Sequence, residues 1–443
     1  MSESASTSEK KLTWWQLALT GVGCTIGTGY FLGSSIGIKL TGPSIVFSFL
    51  IAAIGTYIVF NLLAKMSAAD PQEGSFCYYA EKAFGKWAGF SCGWNYWCSS
   101  ILIMGSQLIA LAILTKKWFP DIPLWVLAAI YAILSILVIL LGTRGFDRIE
   151  DFLAVIKTAA IFMFIIIAIV ALSGGISGDS VSQPGFPTNL ADTFTGGYKG
   201  FWASLIYAFY AFGGIEVIGL MAIRLKKKED APKTGKVMLG LLTLIYIVSL
   251  CLAVIMASVD KFDPKESPFV TALAEYSLPF FPHLFNAAII VAGFSTMTAA
   301  LFGVVTLLVT LAKDGDAPKL FSKKINRFKE LPLPSLLLAT IGMVASVITA
   351  LLLPEKIYEY ITTAAGILLL FNWAFIIISS WRVLEGIKLV NKVIACVGLL
   401  FLTAAVSGTL MDETIRPGFW ISLLLVFIIG VITLLMQRHW NKQ

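Results

Sequence analysis

The chain has 443 residues, 58% of them hydrophobic and only 13% charged, with a formal net charge of +7. Apolar runs of 18 or more residues recur along it. A membrane-spanning helix needs about 20 such residues, so composition excludes an ordinary soluble domain and indicates an all-α integral membrane protein. The charges cluster between the runs and report on topology, and nothing in their pattern suggests nucleic-acid binding.

The polar N-terminal tail, residues 1–13, lacks the short apolar core and cleavage site of a signal peptide. Twelve spans follow, near 14–38, 43–65, 85–114, 122–142, 150–173, 198–223, 234–258, 281–312, 335–353, 357–381, 388–410 and 417–437, and residues 438–443 form a second tail. With the N-terminus inside, 24 of the 33 Lys and Arg fall on inner segments and eight on outer ones, while Lys157 lies within a span. That asymmetry predicts two cytoplasmic termini. The six cysteines show no paired spacing and read as small packing residues.

The first span contains "TGVGCTIGTGYFLGSSIG", Thr20 to Gly37, with six glycines. Each costs about 1 kcal/mol relative to alanine in a helix interior. The sixth span, "FWASLIYAFYAFGGIEVIGLMAI", carries Gly213 and Gly214 at its centre and Glu216 just after. These two spans correspond if residues 14–173 and 198–381 are two five-helix repeats. Five is an odd number, so the second repeat is inverted in the membrane, with the two spans of 388–437 outside the repeat. Matched glycine-interrupted spans in two halves are the sequence mark of a transporter's binding site.

The physical reason is that backbone polar groups cannot stay unpaired in hydrocarbon, so a broken helix is tolerated only around a cavity or ligand. A break near Thr25–Gly29 exposes amides at the positive end of a helix, where a carboxylate fits. Carbonyls from Tyr210 through Ala211 and Phe212 to Gly213 suit an ammonium group. A zwitterionic amino acid supplies both charges. Close packing through small residues is the alternative use of such glycines. The glycine string lacks the third glycine, strand and lysine of a nucleotide-binding loop.

Beyond this physical reading, the chain resembles the amino acid–polyamine–organocation superfamily, and within it the bacterial amino acid permeases. The resemblance rests on "TIGTGYFLGSS" in the first span, "GWNYWCSSILIMGSQLIA" in the third, "YAFYAFGGIEVIG" in the sixth and "LAKDGDAPKLF" after the eighth. It implies the leucine-transporter-like fold. It also implies that amides around Thr25, Gly27, Thr28 and Gly29 bind the substrate carboxylate, that carbonyls of Ile26, Tyr210 and Gly213 bind its amine, and that Tyr210 is an aromatic gate. Selectivity would come from the third, sixth, eighth and tenth spans. Two positions depart from the family pattern. Gln107 stands where many such permeases have a glutamate, and Arg224 where a glutamate is usual.

Glu216 and Lys157 are the two charges well inside spans, and each is a functional-site hypothesis. Glu216 suits a structural role, accepting hydrogen bonds from amides of the sixth-span break, or else proton carriage. By resemblance, Lys157 lies beside the first and eighth spans where sodium-coupled relatives hold Na⁺. It is therefore either the coupling group or a fixed cation tying spans together. Expected cavity-wall residues are Trp94, Tyr207, Tyr210, Phe212, Phe294 and Met297, an apolar set that favours neutral substrates because an unpaired buried cation is costly. Ser295, Thr296 and Thr298 would add hydroxyls.

The resulting expectation is a secondary active transporter, not an enzyme, importing a neutral, apolar or aromatic L-amino acid with proton coupling, in a bacterial inner membrane. Alternatives are a sodium-independent exchanger or facilitator, a cationic amino acid or polyamine permease, a substrate sensor and a channel. No cofactor or metal is expected, with protons as coupling ion, and partners are the substrate, the lipid bilayer and a second copy in a homodimer.

Overall fold

A computed structural model describes residues 12–72, 74–141, 143–176, 187, 189–216, 225–323, 332–353, 356–386 and 388–440. Among these residues every regular element is a helix, apart from one isolated bridge between Leu12 and Leu225. Nine helical stretches among them are long and apolar enough to cross a membrane, and Leu124–Leu140 is a shorter apolar helix. The expected second half of the sixth span (217–223), Arg224, residues 1–11, 324–331 of the basic loop after the eighth span, and the last three residues lie outside the described set.

The first expected span is divided into α1 (Trp14–Thr25), α2 (Thr28–Phe31) and α3 (Gly33–Thr41). A capping box starts α1, in which the Thr13 amide donates to Gln16 Oε1 at 3.0 Å. Next come α4 (Ile45–Ala69), α5 (Ser75–Phe84), α6 (Lys86–Lys116), α7 (Leu124–Leu140), α8 (Thr143–Val170), α9 (Leu190–Thr193) and α10 (Gly197–Ala211). The remainder is α11 (Ala231–Met256), α12 (Pro268–Ala274), α13 (Phe281–Lys313), α14 (Leu333–Leu352), α15 (Ile357–Val383), α16 (Leu389–Gly408) and α17 (Arg416–Trp440). Helices α5 and α12 fall in segments read from sequence as loops, because each is too short to produce an apolar run.

Helix α6 is central, packing on α13 and α15. Polar side chains stitch α6 to α15: Asn95 Nδ2 donates to the Leu368 carbonyl at 2.8 Å, Ser99 Oγ to Ala365 at 3.2 Å, and Cys92 Sγ to Asn372 Oδ1 at 3.5 Å. Within hydrocarbon such bonds hold helices together where the hydrophobic effect cannot. Helix α4 packs on α11 and α10, α16 on α10 and α4, and α17 on α15 and α6. Outward faces of α16 and α17 leave Leu400, Trp420, Leu424 and Phe427 exposed, as a lipid-facing surface requires.

The two ends of the bundle differ. At one, the Lys226 amide donates to the Leu12 carbonyl at 2.9 Å beside the Leu12–Leu225 bridge, and Lys233 Nζ lies 3.9 Å from the Trp14 ring centroid. At the same end Lys86 pairs with Asp316 at 3.0 Å and Trp94 Nε1 donates to the Asp316 carbonyl at 2.9 Å. Burial pushes the Asp316 carboxyl up from its ordinary range, opposed by the Lys86 ammonium. The opposite end, between the end of α6 and the starts of α13 and α15, holds a cavity of about 410 Å³.

Candidate functional site

The interruption of the first span has a defined geometry. Gly27 is extended, with φ −151° and ψ −164°, so α1 stops at Thr25 and the chain re-enters helix at Thr28. Tyr30 and Phe31 amides turn back to the Gly27 carbonyl at 3.0 and 3.1 Å. Thr28 and Gly29 occupy the first turn, where amides have no acceptor within a helix. Thr25, Ile26 and Thr28 are buried, and Gly29 is half-buried.

Helix α10 ends at Ala211, and Phe212, Gly213 and Gly214 form a turn. Gly214 has φ +107°, a conformation glycine adopts without strain. The Gly213 amide donates to the Tyr210 carbonyl at 2.9 Å, and Tyr246 of α11 donates its hydroxyl to the Ala211 carbonyl at 2.9 Å. Carbonyls of Tyr210 and Ala211 thus each accept a hydrogen bond within the protein.

The interrupted segments meet directly. A Cβ on Gly29 would lie 2.7 Å from Tyr210 Cε1, so the ring rests on the first-span break. Tyr210 reaches across to α6, sharing a 2.6 Å hydrogen bond with Ser106 Oγ beside Gln107. Gln107 is buried, and among the described residues its Oε1 has no hydrogen-bond partner. On the other side Gly27 faces Thr296 of α13, whose Oγ1 would lie 2.9 Å from a Cβ there. Elements α2, α6, α10 and α13 thus converge on Gly27–Gly29.

Glu216 is 2% exposed. Its carboxylate accepts from the Gly214 amide (3.2 Å to each oxygen), from the Tyr96 hydroxyl at 3.3 Å and from Trp373 Nε1 at 3.3 Å. It is held by donors from the turn, α6 and α15. Lys157 of α8 is 1% exposed, and its ammonium donates to Ser295 Oγ of α13 at 3.0 Å.

Other expected wall residues are distributed more widely. Tyr207 is buried beneath Gly33, with its hydroxyl 3.1 Å from Thr363 Oγ1. Phe212 packs on Tyr246 (5.1 Å between ring centroids) and Phe49, Phe294 packs on Tyr131 at 6.3 Å, and Trp94 is tied to Asp316 beside the Lys86 ion pair. Met297 is fully buried, and Thr296 and Thr298 bond back to carbonyls of their own helix. Tyr358 of α15 was missed from sequence. Its hydroxyl donates to the Thr28 carbonyl at 3.3 Å, and it also lines the 410 Å³ cavity. The signal was weak, an aromatic among the first residues of a span, where interfacial tyrosines are common.

Comparison with known proteins agrees with this architecture. Residues 16–437 match the profile of the family described as amino acid permease. The chain is 52% identical to the uncharacterized transporter YcgH of Bacillus subtilis, covering 96% of this chain and 95% of that one. It is 30% identical to the aromatic amino acid transport protein AroP of Corynebacterium glutamicum (84% of this chain, 81% of that one). It is 28% identical to the probable threonine/serine transporter YbxG of Bacillus subtilis (82% and 79%).

Proposed function

The chain belongs to the amino acid permease family, and from that premise we propose that it is a secondary active transporter importing a neutral L-amino acid by alternating access with proton coupling. As a member of a permease family with many apolar helices it is a multi-pass membrane protein. The finer architecture belongs to the proposal: twelve spans, residues 14–173 and 198–381 as inverted repeats, 388–437 outside them, and both termini cytoplasmic.

The observation that carries the reading is the meeting of two helix interruptions at Gly29 and Tyr210. Amides at Gly27, Thr28 and Gly29 take the substrate carboxylate, and carbonyls of Ile26 and of Tyr210 to Gly213 take the ammonium, using the lone pairs that internal bonds leave. Tyr210 covers the bound zwitterion. The end closed by Leu12–Leu225 and Lys86–Asp316 is the cytoplasmic one, and the end with the cavity faces outward.

Neutral substrates are favoured because Glu216 already serves four protein hydrogen bonds and Gln107 carries no charge. Burying a substrate cation without a counter-charge is costly. Among neutral amino acids the apolar or aromatic ones are preferred, which is compatible with what AroP is named for. Lys157 is the coupling group in this reading, its ammonium joining α8 to α13 through Ser295. A purified-protein thermal-shift screen against the twenty amino acids identifies the substrate class, since binding to the folded state raises its melting temperature. A pH jump in proteoliposomes then tests coupling. If an imposed proton gradient neither drives accumulation nor changes initial rates, exchange or facilitated diffusion takes the place of symport.

A further inference from the structure

A basic patch lies where the start of α1 meets α11 and the segment before it. Lys226, Lys227 and Lys228 precede α11, and Lys233 and Lys236 lie in its first two turns. All five are exposed, against two carboxylates in the same stretch, Glu229 and Asp230. Among the described residues none of the five forms an ion pair with a carboxylate. The Leu12–Leu225 bridge and the contact of Lys233 with the Trp14 ring hold the patch against α1. From that contact α1 and α11 run side by side into the membrane. Their outward faces leave Trp15 and Leu19 of α1, and Leu241 and Leu244 of α11, exposed. The spacing of 233, 236, 240 and 244 keeps these positions on one face of α11. Between Lys236 and Leu244, Gly240 is exposed and has nothing within 4 Å of a Cβ, so the apolar surface is notched there.

We propose that this seam between α1 and α11 binds an anionic phospholipid. Its phosphate lies against Lys233 and Lys236, with Lys226 to Lys228 adding to the positive field, and one acyl chain follows the notch at Gly240 past Leu244. The depths match a lipid, since Gly240 lies about 6 Å and Leu244 about 12 Å beyond Lys236 along the helix. Trp14, beneath the Lys233 ammonium, sits at headgroup level as interfacial tryptophans do. Topology alone calls for lysines at the end assigned above to the cytoplasm, where the leaflet is anionic, but it calls for no notch beside them. A free inorganic anion has no use for the notch either, so the lipid is the occupant.

Native mass spectrometry of the purified full chain, titrated with dioleoyl phosphatidylglycerol or dioleoyl phosphatidylcholine, tests this. Phosphatidylglycerol should bind at least about tenfold tighter than phosphatidylcholine. Lys233→Gln combined with Lys236→Gln should weaken phosphatidylglycerol binding about thirtyfold, each lysine beside an anionic headgroup being worth about fivefold. Gly240→Leu fills the notch and leaves every charge in place, and it too should weaken binding. Lys319→Gln combined with Lys323→Gln removes the same charge from exposed positions after α13 and should change the affinity less than about twofold. All the substituted positions are exposed, so the variants should keep the unaltered melting temperature. Equal losses from the two lysine pairs would reduce the binding to diffuse surface charge and overturn the site. Equal affinity for the two lipids, or a Gly240→Leu protein that binds as the unaltered one does, would overturn it as well. Inorganic phosphate that displaces the lipid at equal concentration would make this a small-anion site and sink the proposal.

Discussion

Replacing Gly29 by alanine is the sharpest perturbation of the site. The new methyl carbon would sit 2.7 and 2.8 Å from Cε1 and Cδ1 of Tyr210, closer than carbon atoms approach without displacement. The ring is buried and its hydroxyl is held by Ser106 at 2.6 Å, so it cannot simply swing aside. Overpacking of this kind costs about 1–3 kcal/mol. Losing the Ser106 bond adds about 0.5–1.5 kcal/mol. Alanine's helical preference returns at most about 1 kcal/mol, less in a first turn. The net expectation is a loss of about 0.5–4.5 kcal/mol of folding stability, together with a raised KM for uptake, because a displaced Tyr210 ring disturbs the substrate site; each 1.4 kcal/mol of binding lost is a factor of ten.

Thermal unfolding in detergent and initial uptake rates in proteoliposomes measure the two effects. Gly303→Ala is the control: it lies on the exposed side of α13 with nothing within 4 Å of a Cβ, and should be neutral or slightly stabilising. Adding Tyr210→Ala to Gly29→Ala removes the partner in the clash, so the pair should cost less than the sum of the single changes. A Gly29→Ala protein as stable and as active as Gly303→Ala would refute the contact on which the site is built.

Three further outcomes are expected. Lys157→Gln should abolish accumulation driven by a pH gradient while substrate counterflow persists, and undiminished proton-driven accumulation would remove Lys157 from coupling. Glu216→Gln puts an amide NH₂ among donors from Gly214, Tyr96 and Trp373, and should cost about 1.5–3 kcal/mol in thermal stability without changing the pH dependence of uptake; an altered pH profile would assign Glu216 to proton transfer. At the surface, Lys82 chiefly, with Gln72 and Tyr78, holds the Asp70 carboxyl below the usual carboxylate range. Its stabilising contribution is therefore present above the unfolded value near 4 and lost as pH falls through the lower folded value. The stability gap between the unaltered protein and Asp70→Asn should close on acidification, and a gap that is constant with pH would exclude the ion pair as its cause.

Much of this protein could be read along the chain. Apolar runs locate the helices because hydrocarbon admits no other use for such lengths of backbone. The interruption at Gly27 was legible too, since glycines and hydroxyls weaken a helix locally, whatever surrounds it. Only the folded chain decides which side chains look into the break. Spans such as α6, α13 and α15 are apolar or small on every side, so no polar stripe marks the buried face, and the inward residues cannot be phased from sequence. Hence Tyr210 lies on Gly29, while Phe212, Phe294 and Trp94, chosen from sequence by the same chemistry, pack on Tyr246, on Tyr131 and against the Asp316 carbonyl. Tyr358, Asn286 and Glu359 come from two spans and converge only when α13 and α15 assemble around α6. Local chemistry determined where the helices run and where one breaks, and long-range packing decided what each break faces.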